Sequence, residues 1–169
     1  MPGPNRSPNW VVPTRPVGTS DNSAASTAFV AGAINTLPAY STGIWTPTLT
    51  FATPGDLVVV YSLRTGTYTK IGGLVYLKMI LATSTFTHTT ASGLLNITGL
   101  PFAAAAGGIG QMEFQGITKA GYTQFVFAVN GSELNIGASG SGVALDNVTA
   151  ANMPTGGTVI LGGSIQYET

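Results

Sequence analysis

From Trp45 to Tyr167 the apolar residues recur at every second position in short runs, and each run stops at Gly, Pro, Asn or a Thr-rich stretch. Alternation of this kind gives a strand one apolar face, and successive runs without a long 3.6-residue period fold into antiparallel sheet. Strands are expected at Trp45 to Phe51, Leu57 to Arg64, Thr67 to Ile71, Leu74 to Thr83, Leu94 to Thr98, Gly110 to Ile117, Gln124 to Asn130, Glu133 to Ile136 and Thr158 to Tyr167. Gly72-Gly73 and Asn130-Gly131 read as two-residue hairpin turns, where Gly and Asn supply positive φ. Residues 145–157, LDNVTAANMPTGG, leave room for at most one helical turn before Pro154. The expected fold class is mainly β: an antiparallel β-sandwich, jelly-roll-like, over residues 38–169.

The run Leu74 to Leu81 constrains the surface as well. Its odd positions Val75, Leu77, Met79 and Leu81 are apolar, and so are the even ones apart from Lys78. A strand in a single antiparallel sandwich usually shows one face to water. Here the second face asks for cover, from a wide sandwich or from another copy of the chain. Gln124 to Asn130 repeats the pattern. Only 12 of 169 residues are charged, 7% against about 25% in an average soluble domain. Both features favour a homo-oligomer with extensive apolar interfaces.

Five of the ten prolines stand at Pro2, Pro4, Pro8, Pro13 and Pro16. Each fixes φ and removes a donor, so residues 1–20 read as an extended arm. Trp10, Val11, Val12 and Pro13 lie in its middle, and an exposed cluster of that kind is unfavourable by roughly 1.5–3 kcal/mol per large side chain. Docking on a partner protein is favoured over a solvated tail. Ser20, Asp21, Asn22 and Ser23 then offer N-caps for a short helix over residues 21–37, stopped by Pro38. Phe29, Val30, Ala33 and Ile34 share one stripe of it, suited to packing on copies of itself or on the body.

Little in the sequence points to catalysis. His88, the one histidine, sits in TSTFTHTTASG with no carboxylate within twenty residues. It has no companion for a metal site or a nucleophile–base set. Asp21, Asp56, Glu113, Glu133, Asp146 and Glu168 are scattered, with no glycosidase-like pairing signalled. GASGSG, residues 137–142, lacks the Lys and the helix of a phosphate loop and reads as a flexible loop. No enzyme activity, metal or cofactor is expected. Cysteine is absent, and a formal charge of zero offers no grip on nucleic acid. No apolar run approaches the roughly 20 residues of a spanning helix, and nothing resembles a secretion signal. A mature protein made in a cytoplasm is expected. A free lectin-like carbohydrate-binding module or a small hydrolase is the alternative.

Three motifs add a resemblance. GIWTPTLTF, with Gly43, Trp45, Pro47, Thr48 and Phe51, is followed by GTYTKIGG, with Gly66, Tyr68, Lys70 and Gly72, and then by NITGLPF, with Pro101 and Phe102. The series W-x-P-x-L, G-x-Y-x-K-x-G, I-x-G-L-P-F resembles a β-rich module of tailed-bacteriophage virion proteins. Residues 16–34, PVGTSDNSAASTAFVAGAI, are similar to segments that precede distal modules in phage tail fibres. The resemblance implies a trimeric fibre, spike or decoration protein of a virion. Its N-terminal arm would hold another virion protein, of capsid or tail, and its β-domain would face outward, with host surface glycan as a candidate ligand. The motif residues themselves read as scaffold. Trp45 should cover one end of the sandwich, Pro47 should lie at an edge, Tyr68 and Lys70 should pair their polar tips, and Pro101-Phe102 should form a plug. Binding is then expected on the loops Thr83 to Gly93, Ala103 to Gly110 and Gly137 to Thr155.

Overall fold

The computed structural model describes Pro16 and residues 27–169, and divides at Ala39 into two units, the second being Tyr40–Thr169. The anchoring candidates Trp10, Val11, Val12 and Pro13, and the N-cap candidates 20–23, lie outside the described residues. In the first unit α1 spans Thr27–Asn35, and Thr36 closes it by donating from its backbone N–H and its hydroxyl to the Ala33 carbonyl. Pro38 follows at once. On this helix Val30 and Ile34 are exposed.

The second unit is one antiparallel sheet. Its strands are β1 (Tyr40–Trp45), β2 (Thr48–Thr53), β3 (Val58–Ile71), β4 (Leu74–Thr87), β5 (Ser92–Thr98), β6 (Ile109–Gln115), β7 (Gln124–Asn130), β8 (Glu133–Ser139), β9 (Asp146–Asn147) and β10 (Ile160–Glu168), with one 3₁₀ turn at Ala150–Asn152. The order is β1-β3-β4-β10-β6-β7-β8-β5-β2, with β9 added to β8. The sheet curls into a sandwich-like half-barrel, the class read from the alternation. The first and last strands of this path are joined by only Thr46 and Pro47. Across the gap the Leu49 N–H donates to the Tyr61 hydroxyl at 2.7 Å, tying β2 to β3.

Alternation decides what is inside. Val75, Leu77, Met79 and Leu81 of β4 meet Tyr167, Ile165, Gly163 and Leu161 of β10 in register, and all but Gly163 are buried. Phe125, Phe127 and Val129 of β7 and Leu134, Ile136 and Ala138 of β8 continue this wall, which β5 closes with Leu95 and Ile97. Gly72, at φ 58°, and Gly131, at φ 59°, each open a two-residue turn whose second residue has negative φ. This is the type II′ pattern, whose twist matches that of the flanking strands.

Several boundaries differ from those expected. Trp45 to Phe51 is two strands, because Pro47 cannot donate to a ladder and the chain changes sheet end there. The two expected strands 57–64 and 67–71 are one, β3, with register shifts between Val60 and Leu63 that absorb the break. The second hairpin turns at Gly131-Ser132, since Asn130 still pairs with Glu133. Gly137–Ser139, expected in a loop, continue β8. Thr83 to Thr87, also expected in a loop, continue β4; the buried Thr83 hydroxyl accepts the Val159 N–H at 2.9 Å.

Because every pairing is antiparallel, the loops fall at two ends. The chain enters the sheet at Tyr40, opposite Ile71, beside the turns 72–73 and 131–132, the loop 99–108 and Thr169. At the far end lie residues 54–57, 88–91, 116–123 and 140–159. Two of the three expected binding loops therefore share the far end, and Ala103 to Gly110 does not.

Candidate functional site

The far-end loops border a shallow, open cleft of about 470 Å³ between residues 88–93 and 149–155. That is within the roughly 300–1,000 Å³ of small-ligand sites. Its sides carry the hydroxyl-bearing residues Thr89, Ser92, Thr149 and Thr155, and its apolar part is Ala91, Ala150, Ala151 and Met153. Among the described residues no charged side chain lines it. Two of these hydroxyls are engaged within the protein, that of Thr89 by Asp56 and that of Thr149 by Asn152, which leaves Ser92 and Thr155 as the hydroxyls open to a neutral ligand on a largely apolar surface.

His88 stands in the wall, 6% exposed, and its Nε2 has no hydrogen-bond partner among the described residues. Its ring packs edge-on to Phe51 at 5.0 Å and Phe86 at 5.6 Å, and those two rings meet each other at 6.0 Å. The aromatic cluster forms the base of the 88–91 loop. The loop is held from the other side by Asp56, whose carboxylate accepts the backbone N–H and hydroxyl of both Thr89 and Thr90. Those bonds, the Thr89 hydroxyl first and then the two amides, hold the Asp56 carboxyl well below the usual range. A depressed carboxyl contributes stability above its ordinary titration range and loses it as pH falls through the folded value. The Thr89 and Thr90 amide resonances should therefore move in wild type only well below about pH 4. In Asp56→Ala they should take that loosened position at every pH, as two-dimensional NMR will read.

The opposite wall is a strap from Asn147 to Met153. Val148 lies between two strands: its N–H donates to Ile136 O at 2.8 Å, and its carbonyl accepts Leu95 N at 2.9 Å. Asn152 Oδ1 accepts the Thr149 N–H at 2.9 Å and Lys119 Nζ at 3.3 Å. Lys119 also pairs with Asp146 at 2.8 Å, which, with the Asn147 N–H, lowers the Asp146 pKa. Tyr122 donates its hydroxyl to Ala144 O at 3.1 Å. Beside these contacts Leu145 is 83% exposed.

The motif residues assemble away from the cleft. Trp45 lies over Gly66, its cross-strand partner, where a Cβ would meet the indole at 2.5 to 2.8 Å. Two residues along the pair, Tyr68 lies over Gly43 in the same way, a Cβ there meeting the phenol ring at 2.7 Å. The G-x-W and G-x-Y spacings are thus reciprocal: each glycine of one strand admits the aromatic ring of the other. Tyr68 and Lys70 do not pair tips. Both turn to Phe102, Tyr68 by a perpendicular ring contact at 5.2 Å and Lys70 with its ammonium 5.2 Å from the ring centre, while Lys70 donates to the Thr169 hydroxyl. The Tyr167 hydroxyl donates to Phe102 O at 2.9 Å, and the half-buried Phe102 ring packs against the core. Pro47 is buried and Pro101 half-buried.

Sequence reasoning missed Asp56. The Pro54-Gly55-Asp56 turn signals itself, but its partners are 33 residues away and carry no matching pattern. Among the described residues no group of three His, Asp or Glu side chains could hold a metal ion, and no helix is long and apolar enough to cross a membrane.

Neither a protein-family model nor a curated protein matches the chain. Among solved structures, the Dettilon tailspike protein is similar over 75% of this chain, with a TM-score of 0.52 and 19% identity. The match spans 23% of the tailspike's length, and it is a likeness of fold.

Proposed function

We propose that the chain is a non-enzymatic structural protein of a bacteriophage virion, associated with its tail or, as a decoration protein, with its capsid. It acts as a homotrimer, its residues 1–20 hold another virion protein, and its far-end cleft adheres to host surface glycan. One observation carries the reading: the cleft lies at the end of the β-domain opposite Tyr40, where the chain enters. An anchor N-terminal to Tyr40 would leave that cleft pointing away from the particle. The fold likeness to a tailspike, the three phage-like motifs and the uncharged lining support the same assignment. Residues Phe29, Val30, Ala33 and Ile34 of α1 are assigned to contacts between copies.

The test uses particles assembled with altered chains. Replacing Thr89–Ser92 by a Gly/Ser segment should leave the protein in the particle and abolish its binding to host cells. Deleting residues 1–20 should leave the protein folded and absent from particles. Unchanged adhesion in the first variant removes the cleft from the role, and normal incorporation of the second removes the arm. Immunogold labelling then places the protein on tail or capsid.

A further inference from the structure

We infer that the outer face of β1, β3, β4, β10 and β6 is an interface between copies of this chain, an inference that rests on the homotrimer proposed above and assigns a surface to it. Register places Tyr40, Ile71 and Leu74 in one row across three strands, with Tyr76 in the next row, Ile44 in the row after it opposite Thr67, and Ile109 at the same end of β6. These six are 40% to 86% exposed. At roughly 200 Å² for a whole large side chain, they present on the order of 700 Å² of mostly apolar surface. That exceeds the roughly 300–600 Å² of the largest patch on a typical monomer and approaches the roughly 800 Å² per partner of a stable interface.

Charge on the same face indicates what covers it. Next to the apolar rows runs a trough of about 760 Å³, with Lys78 on one side and Glu113 on the other. Between them β10 carries Ser164 and Gly162, and the Glu113 carboxylate lies over Gly162, where a Cβ would meet Oε1 at 2.6 Å. Neither Lys78 nor Glu113 has an ion-pair partner among the described residues. In a chain with 12 charged residues, Lys78, Glu113 and Glu168, the last opposite Leu74 in the apolar row, stand on this one face without an ion-pair partner among the described residues. A face holding both signs complements itself: Lys78 of one copy meets Glu113 of the next. A partner of strong net charge, or a purely polar ligand, would leave the isoleucines or one of the charges uncompensated.

Sedimentation of the full chain over a concentration series tests this. The wild type should be trimeric. Lys78→Glu and Glu113→Lys should each weaken assembly by about tenfold or more, and the double exchange should recover most of the loss. Ile44→Glu with Ile109→Glu should yield folded monomer, with far-ultraviolet circular dichroism unchanged. Trimers that tolerate all these changes overturn the inference and leave the homotrimer standing on another surface, which Val30→Glu with Ile34→Glu in α1 then locates. A wild type that is monomeric removes the homotrimer itself. A monomer whose strand amides on this face become less protected when residues 1–20 are deleted gives the face to the arm and overturns the inference.

Discussion

Phe51→Ala lowers the stability of the β-domain by about 3–5 kcal/mol, the range for a fully buried aromatic truncated in a core that cannot collapse around it. Phe51 is 2% exposed and sits between Phe86 and His88, which also meet each other, so the deleted ring leaves a void bordered by two rigid neighbours. The loss appears in denaturant unfolding as a lower midpoint at unchanged slope. It also separates stability from binding. The cluster supports the 88–91 loop, so Phe51→Ala should weaken host adhesion at temperatures where the domain is still folded, whereas Phe127→Ala, equally buried and remote from that loop, should reduce stability alone. Equal adhesion losses at matched stability would show that the cluster does not position the cleft.

Trp45→Ala is expected to cost a similar 3–5 kcal/mol, and its coupling to Gly66 tells more than the loss itself. Gly66→Ala in the wild type places a methyl group within 2.5 to 2.8 Å of the indole and should cost about 1–3 kcal/mol by overpacking. In the Trp45→Ala background the obstruction is gone and alanine suits a strand better than glycine, so the second change should be neutral or stabilising. A double-mutant cycle on unfolding free energies then returns an interaction term of at least about 1 kcal/mol. Additive effects would mean that the ring does not rest on Gly66. The same cycle with Gly43→Ala and Tyr68→Ala checks the reciprocal half.

The sheet was legible in the sequence because alternation depends only on neighbours along the chain. The odd positions of Leu74 to Leu81 and of Gln124 to Asn130 are buried as the pattern requires, and the Gly72-Gly73 turn falls where expected. What the pattern misplaced are the features that arise between distant segments. Thr83 to Thr87 looks like loop because of its small polar residues, yet pairing with Val58 to Tyr61 and with Val159 makes it strand. Gly137–Ser139 has the same history, with Gln124 to Val126 as its partner. Trp45 and Pro47 were read as one strand since nothing local marks the point where the chain passes from one end of the sheet order to the other. For the cleft, two of its walls were foreseen as loops of small polar residues. Their meeting was not, and neither was the carboxylate of Asp56 that fixes one of them, because hydrogen bonds across 33 residues leave no periodic trace.

The direction of β1 has a mechanical consequence. The strand starts at the entry end and runs six residues inward beside β3, every residue from Tyr40 to Trp45 paired. A pull on the chain before Tyr40, resisted by a ligand held at the far end, acts along the axis of this strand and at right angles to its antiparallel hydrogen bonds. The six pairs are then loaded together, in shear, and cannot be unzipped one at a time. Trp45, seated in the hollow over Gly66, is the last point to slip, which suits this attachment to tension along the line between the proposed anchor and the proposed adhesive end.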